Sequence, residues 1–309
     1  MRNSRLRALW VALALALGSI GLAACGSSSS STDTTGGGGG GSGASIAASV
    51  KPDSAVVKLV PSDVKSSGSL TMATDASYPP MEMFASDGST IIGVDPDLAK
   101  AITAKMGLDV NIENASFDSI LTGIAAGKYD FSMSAFTDTK ERQKTVDFVT
   151  YFTAGTSFYM AADSGLNVNS LDDLCGLSVA AEKGTTQATD AQAQSAKCKG
   201  QGKDGVTVSV YPDQNGANLA ISGGKADVGM ADSPVAAYIV KQSGGQFKLG
   251  GSYASEPYGI AIPKGSGLAP PMQAALKSLM ADGTYLKILK SWGVEAGAID
   301  NPTINGAIS

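Results

Sequence analysis

Residues 124–138, IAAGKYDFSMSAFTD, and residues 221–235, ISGGKADVGMADSPV, follow the same order of events. Each starts at the end of an apolar helical pattern and turns at Gly-Lys-x-Asp. Each then runs through a short strand-like stretch and stops in polar residues. The polar groups therefore fall just past the carboxyl end of a strand, where open α/β sheets bind ligands. Two such units in one chain predict two α/β lobes, each presenting polar groups to a shared cleft.

The flanking residues continue the pattern. Residues 69–74, SLTMAT, read as a buried strand. Asp95-Pro96 reads as a helix start, with Asp as the cap and Pro in the first turn. Leu98, Ile102 and Met106 then recur at helical spacing, and Gly107 ends the run. Leu108, Val110 and Ile112 alternate as a strand. Phe117, Ile120, Leu121 and Ile124 return to the helical period, Gly127 stops it, and residues 131–133 read as strand again. This alternation predicts an α/β fold with mostly parallel strands. A second lobe is expected from about Ala161, after the strand-like residues 157–160, to about residues 253–257, where 258–262 reads as strand once more. Met272, Leu276 and Leu279 mark one further helix, and Tyr285, Ile288, Leu289 and Trp292 mark another.

The start of the chain is of a different kind. Three arginines precede an uncharged apolar run over residues 8–24, the composition of an export signal. The run is marginal for a membrane span, which needs about 20 apolar residues. Leu22-Ala23-Ala24-Cys25 resembles a bacterial lipobox, in which Cys25 is acylated and becomes the new N-terminus. Residues 26–50 are mostly Ser, Thr, Ala and Gly and are expected to behave as a flexible coil. The expected organisation is thus a signal peptide over 1–24 and a lipidated tether over 25–54. One lobe would follow over 55–160 plus 257–309, and the second over 161–256. Loss of residues 1–24 takes away three arginines and moves the formal charge from −5 to −8. So acidic a product is a poor nucleic-acid binder, which needs basic surface.

Outside the cytoplasm an even pair of cysteines points to a disulfide, here Cys175 with Cys198. The chain holds no histidine. That removes Ser-His-Asp and Cys-His catalysis and every histidine-bearing zinc pattern. No metal site and no cofactor is expected.

Six stretches taken in order are similar to the extracellular solute-binding proteins of amino-acid ABC importers, family 3. They are ATDASYPPMEM (73–83), GVDPDLAKAI (93–102), TDTKERQKTVDF (137–148), EKGTTQ (182–187), GKADVGMADSPVAAY (224–238) and ADGTYLKILKSWGV (281–294). The resemblance covers residues 69–299. It implies a two-lobed periplasmic-binding-protein-like fold of type II, with two parallel-rich sheets joined by a two-strand hinge.

A free amino acid sets its own terms. Burying its carboxylate and its ammonium is costly unless both are paired. Arginine meets a carboxylate with two parallel hydrogen bonds, and an ammonium needs an ionised acid. Read alone, Arg142 is one more cation on a solvated face beside Lys140, Glu141 and Lys144, and Asp232 is a cap for the helix that follows it. The resemblance implies instead that Arg142 grips the ligand carboxylate and Asp232 its ammonium. By the same resemblance Thr137 supplies a hydroxyl, and Ala135 and Thr137 supply backbone groups. The helix start at Thr186-Gln187 gives a second grip on the carboxylate through the Thr186 N–H. Tyr78 and Phe117 form aromatic walls, and Asp75 and Glu182 face the ligand's side chain. Two acids there favour arginine, lysine or glutamine.

The implied activity is ligand capture by hinge closure, with delivery to a permease in the membrane by a monomer anchored on Cys25 at the outer face of the cell membrane. The rival readings are an enzyme of the same fold, dehydratase-like, with Glu182 or Asp75 as general acid, a sensor lipoprotein, and a surface adhesion lipoprotein.

Overall fold

A computed structural model describes residues 40–309. The expected signal peptide, Cys25 and the tether as far as residue 39 lie outside the described residues. The chain first forms helices α1 (Gly40–Ala48), α2 (Ser54–Leu59) and α3 (Ser62–Ser67), then strands β1 (Ser69–Thr74), β2 (Ser77–Tyr78), β3 (Glu82–Phe84) and β4 (Ile91–Ile92). Next come α4 (Val94–Lys105), β5 (Asp109–Asn114), α5 (Phe117–Ala125), β6 (Phe131–Ser132) and β7 (Val146–Ala161). They are followed by β8 (Ser178–Glu182), α6 (Thr186–Gly200), β9 (Thr207–Tyr211), α7 (Gln214–Ser222), β10 (Val228–Asp232) and α8 (Ser233–Gln242). The last elements are β11 (Phe247–Pro263), α9 (Ala269–Ala281) and α10 (Thr284–Trp292).

Eight strands form one mixed sheet in the order β5-β1-β6-β11-β7-β10-β8-β9, and β2-β3-β4 form a small antiparallel sheet. The two parallel sets expected from the sequence are both present: β1 lies between β5 and β6, and β8 between β10 and β9. They belong to one continuous sheet because β7 and β11, 16 and 17 residues long, pair antiparallel to each other and reach into both sets. The residues of β7 suit that length, being rich in β-branched and aromatic types. Its ends are buried, but Thr153, Ala154 and Gly155 at its middle are only half-buried. The facing part of β11 shifts register between Tyr253 and Glu256. There Gly155 lies against its partner so closely that an added Cβ would meet the Ala254 carbonyl oxygen at 2.3 Å. The crossing between the two halves is therefore the least regular part of the sheet.

The repeated motif has a common geometry. Asp130 accepts the Thr71 N–H at 2.7 Å, and Asp227 accepts the Ser178 N–H at 2.8 Å. In each unit the turn aspartate ties its own strand to the first residues of the parallel neighbour. β6 runs in the direction of β7 and β10 against it, so the two strands deliver the following polar residues toward each other across the middle of the sheet.

Two expectations need correction. Residues 40–48 form helix α1 rather than coil, with Gly43 and Ala47 buried. The small residues allow a close approach: a Cβ on Gly43 would lie 2.3 Å from Asp97 Oδ2 and 2.8 Å from Trp292 Nε1. The helix thus covers the hydrogen bond that Trp292 donates to Asp97, 2.9 Å long. Asp95 does not cap α4, whose N-cap is Gly93 with φ of 145°. Asp95 lies inside the first turn, fully buried, and points toward the end of β6. Among the described residues no helix is long and apolar enough to cross a membrane.

The disulfide Cys175–Cys198 is formed, with Cα atoms 5.6 Å apart. It ties the C-terminal part of α6 to the turn before β8, over a core containing Phe158, Leu174, Val179 and Met230. For a loop closed across 23 residues, the chain-entropy model gives about 3 kcal/mol of stabilisation. Replacing both cysteines by serine is expected to lower the free energy of urea unfolding by that order. A loss under about 1 kcal/mol would show that the crosslink does not limit the unfolded chain.

Candidate functional site

The carboxyl ends of β1, β6, β8 and β10 converge on one narrow cleft. All ten residues expected at the site line it. Asp75, Tyr78, Phe117, Ala135, Thr137 and Arg142 come from the β1–β6 half. Glu182, Thr186, Gln187 and Asp232 come from the β8–β10 half. Two lining residues were missed, Glu82 and Thr185. Thr185 was open to reading, since it is the N-cap of α6, accepting the Ala188 N–H at 3.2 Å. Glu82 carries no such local signal.

Arg142 is not on a solvated helix face. It begins a three-residue 3-10 turn, Arg142–Lys144, and its guanidinium is half-buried. The planar group lies over two rings, 5.5 Å from the centroid of Phe117 and 5.2 Å from that of Phe136, which stack on each other at 4.2 Å. One Nη donates to Thr137 O at 2.9 Å and the other to Gly184 O at 3.0 Å. Guanidinium has five N–H donors, so three remain for a ligand. Burial lowers its pKa to about 10, which leaves it charged at neutral pH.

Asp232 is the N-cap residue of α8, but its side chain makes no capping bond. It is only 6% exposed and turns into the cleft, where Oδ1 accepts Gln187 Nε2 at 2.7 Å. Gln187 is held in turn by Thr156 Oγ1 at 3.1 Å. Burial raises the Asp232 carboxyl to about 6, against the pull of its hydrogen bonds and of Arg142. Tyr78 is more than a wall, because its hydroxyl accepts the Asp232 N–H at 2.9 Å and so ties the two halves together. Further ties across the cleft are Lys183 to Asp118 at 2.7 Å and the Gln214 N–H to Ser77 Oγ at 3.3 Å.

The start of α6 leaves the Thr186 and Gln187 N–H groups without an acceptor in a preceding turn. They face the cleft with the positive end of the helix, an arrangement suited to an anion. Ala135 has left-handed backbone, φ 47°, and its N–H donates to Asp95 Oδ2 at 2.9 Å. Of its backbone groups only the carbonyl is left for a ligand, which narrows the expected backbone role. Tyr151 from β7 donates to the same Asp95 oxygen at 2.8 Å.

Four carboxyl groups line the cleft. Asp75 accepts the Phe117 N–H at 2.9 Å, so it serves the start of α5 while facing the cavity. Glu82 accepts from Ser134 Oγ at 3.0 Å, and Ser134 Oγ accepts the Asp75 N–H at 2.9 Å. Burial first, then the neighbouring Asp95 carboxyl, raises Glu82 well above its ordinary range. Burial beside Asp95 thus favours the neutral form of Glu82. Glu182, 2% exposed, has a buried Oε1 with no hydrogen-bond partner among the described residues. Burial and the surrounding acids push its carboxyl up to about 9. The cleft thus pairs one fixed cation with a surplus of carboxyl groups. Such a site suits a small molecule with one carboxylate and one or more cationic groups.

Residues 70–295 match the bacterial extracellular solute-binding proteins, family 3. An arginine-binding protein of Corynebacterium glutamicum is 35% identical over 256 residues, 82% of this chain and 84% of the relative. An arginine-binding extracellular protein of Bacillus subtilis is 30% identical over 227 residues, 72% of this chain and 85% of the relative. Among solved structures, an ancestral arginine-binding protein bound to arginine is 34% identical, with a TM-score of 0.67, and covers 73% of this chain and 98% of its own. The same description bound to glutamine gives a TM-score of 0.68. An ancestral amino acid-binding protein, a precursor of cyclohexadienyl dehydratase, is 32% identical, with a TM-score of 0.67, over 74% of this chain and 97% of its own.

Proposed function

The chain belongs to the bacterial extracellular solute-binding proteins, family 3, and on that premise we propose that it captures a free amino acid, arginine first, for an ABC importer. The observation that carries this reading is the placement of Arg142 and Asp232 in one cleft, on opposite halves of the sheet. Arg142 and the Thr186 N–H take the ligand's carboxylate, and Asp232 takes its ammonium. Phe117 and Tyr78 flank the aliphatic part and exclude water. Asp75 and Glu182 receive the side chain, and a guanidinium answers the surplus of acid better than an amide does.

The two lobes, 55–160 plus 257–309 and 161–256, close about the middle of β7 and β11. A ligand that touches both is held only when they meet, so it shifts the population toward the closed form. That form is what a permease reads. The protein acts by binding rather than by catalysis, as a monomer held at the outer face of the cell membrane by a lipid on Cys25. The names of the relatives and the composition of residues 1–24 support this reading.

Calorimetry of the purified protein against the twenty amino acids, ornithine and citrulline tests it. Arginine is expected to bind at micromolar Kd or tighter, about −8 kcal/mol, and to raise Tm. Heats indistinguishable from dilution for every amino acid would end the proposal.

A further inference from the structure

Resting on the amino-acid reading, we propose that Glu182 decides between cationic and neutral ligand side chains, carrying a proton when the side chain is neutral and losing it when the side chain is cationic. The four carboxyl groups of the cleft differ in what they already hold. Asp75 accepts the Phe117 N–H, Glu82 the Ser134 hydroxyl through one oxygen while its Oε2 is buried and unpartnered, and Asp232 the Gln187 amide, whereas Glu182 accepts no side-chain hydrogen bond at either oxygen among the described residues. Glu182 ends β8 with its Oε1 buried and unpartnered among the described residues. A desolvated carboxylate without a donor is costly, and only two things relieve it here. One is a proton, and the other is a cationic donor supplied by the ligand.

The groups around Glu182 favour the proton until a cation arrives. Asp75 faces it from the end of β1, Asp118 from α5, Asp213 from the start of α7 and Asp232 from the end of β10. Tyr78 faces it from β2. The cations nearby are committed elsewhere: Lys183 pairs with Asp118, and Arg142 lies over Phe117 and Phe136. Burial and these acids hold an unpaired Glu182 carboxyl near 9, above neutral pH. A guanidinium against it restores the ordinary carboxylate.

The consequence is a difference of one proton between two complexes, whatever form the free protein takes. By linkage, the ratio of two dissociation constants changes tenfold per pH unit when the complexes differ by one bound proton. Arginine and citrulline have nearly the same shape and differ in side-chain charge, and neither side chain titrates between pH 6 and 8. Any titration of Asp232 acts on the shared ammonium and cancels in the ratio.

The experiment is calorimetric titration of the whole protein with L-arginine and with L-citrulline at pH 6, 7 and 8, repeated on Glu182→Gln. For the native protein the ratio of citrulline Kd to arginine Kd is expected to rise about tenfold per pH unit. In Glu182→Gln it is expected to be flat. The native slope needs no variant, so a failure of the variant to fold would not remove the test. A flat native ratio with both ligands bound overturns the inference and leaves the amino-acid reading standing. So does a slope that survives in Glu182→Gln, or an absence of citrulline binding at pH 6 where arginine binds. No binding of either ligand at any pH ends both.

Discussion

Replacing Arg142 by alanine is expected to raise the Kd for arginine by two to four orders of magnitude, with the unfolding midpoint close to that of the native protein. In the proposed complex the ligand carboxylate lies between Arg142 and the start of α6, which line the same cleft. Removing one partner of a buried ion pair costs about 3–5 kcal/mol, because the remaining charge is left desolvated. The Thr186 and Gln187 N–H groups persist in the variant, so the carboxylate keeps some of its hydrogen bonds, which sets the lower end of the range. The fold should survive, since Arg142 belongs to a three-residue turn and is only half-buried. What is lost structurally is the pair of bonds to Thr137 O and Gly184 O and the contact with the Phe117–Phe136 stack. Arg142→Lys keeps the charge but not the planar fork, and it is expected to fall between the two. Calorimetry on the three proteins checks the order. Titration curves for Arg142→Ala that overlay the native ones would show that the guanidinium does not touch the ligand.

How far this site could be read from residues alone depends on whether the controlling interactions are local. Helix periodicity placed α5 and α9 well, because Phe117, Ile120 and Ile124, and Met272, Leu276 and Leu279, are buried for the reason their spacing implies. The repeated Gly-Lys-x-Asp turn was legible because each aspartate bonds the neighbouring strand at a fixed offset. Arg142 was not legible from its own surroundings of Lys140, Glu141 and Lys144. Its burial is set by Phe117 and Phe136, and its second carbonyl partner, Gly184, lies 42 residues on. Glu82 and Asp95 were misread or missed for a related reason. A carboxyl in a short strand or a first helical turn looks solvated or capping. Only the return of the chain at Ser134 and Ala135 makes these two a buried pair. Helix α1 was hidden by its own composition, since what holds it is distant in sequence: Gly43 packs onto Asp97 and Trp292, and Ala47 is buried in the main core.

Asp232→Asn is expected to weaken arginine binding by at least a hundredfold, and the pH dependence of the native protein explains why the amide is the informative replacement. Asparagine keeps the shape and an acceptor for Gln187 Nε2, now 2.7 Å from Oδ1. It also keeps the backbone N–H that donates to Tyr78. Only the negative charge opposite the ligand's ammonium disappears, a loss of about 3 kcal/mol for an uncompensated buried charge. In the native cleft without a ligand, burial holds this carboxyl at about 6, above its ordinary value. The folded protein therefore takes up a proton there as pH falls through about 6. An ammonium against it favours the ionised form, so proton and ligand compete. Native affinity for citrulline, whose complex keeps Glu182 protonated, should accordingly fall toward tenfold per pH unit below about 6, and arginine shows the same limb on top of the Glu182 slope. In Asp232→Asn that acid limb has no titrating group and should be absent, while the slope of the citrulline-to-arginine ratio, which belongs to Glu182, should remain. An acid limb that persists in Asp232→Asn would assign the ammonium to another carboxylate of the cleft, with Asp75 next in line.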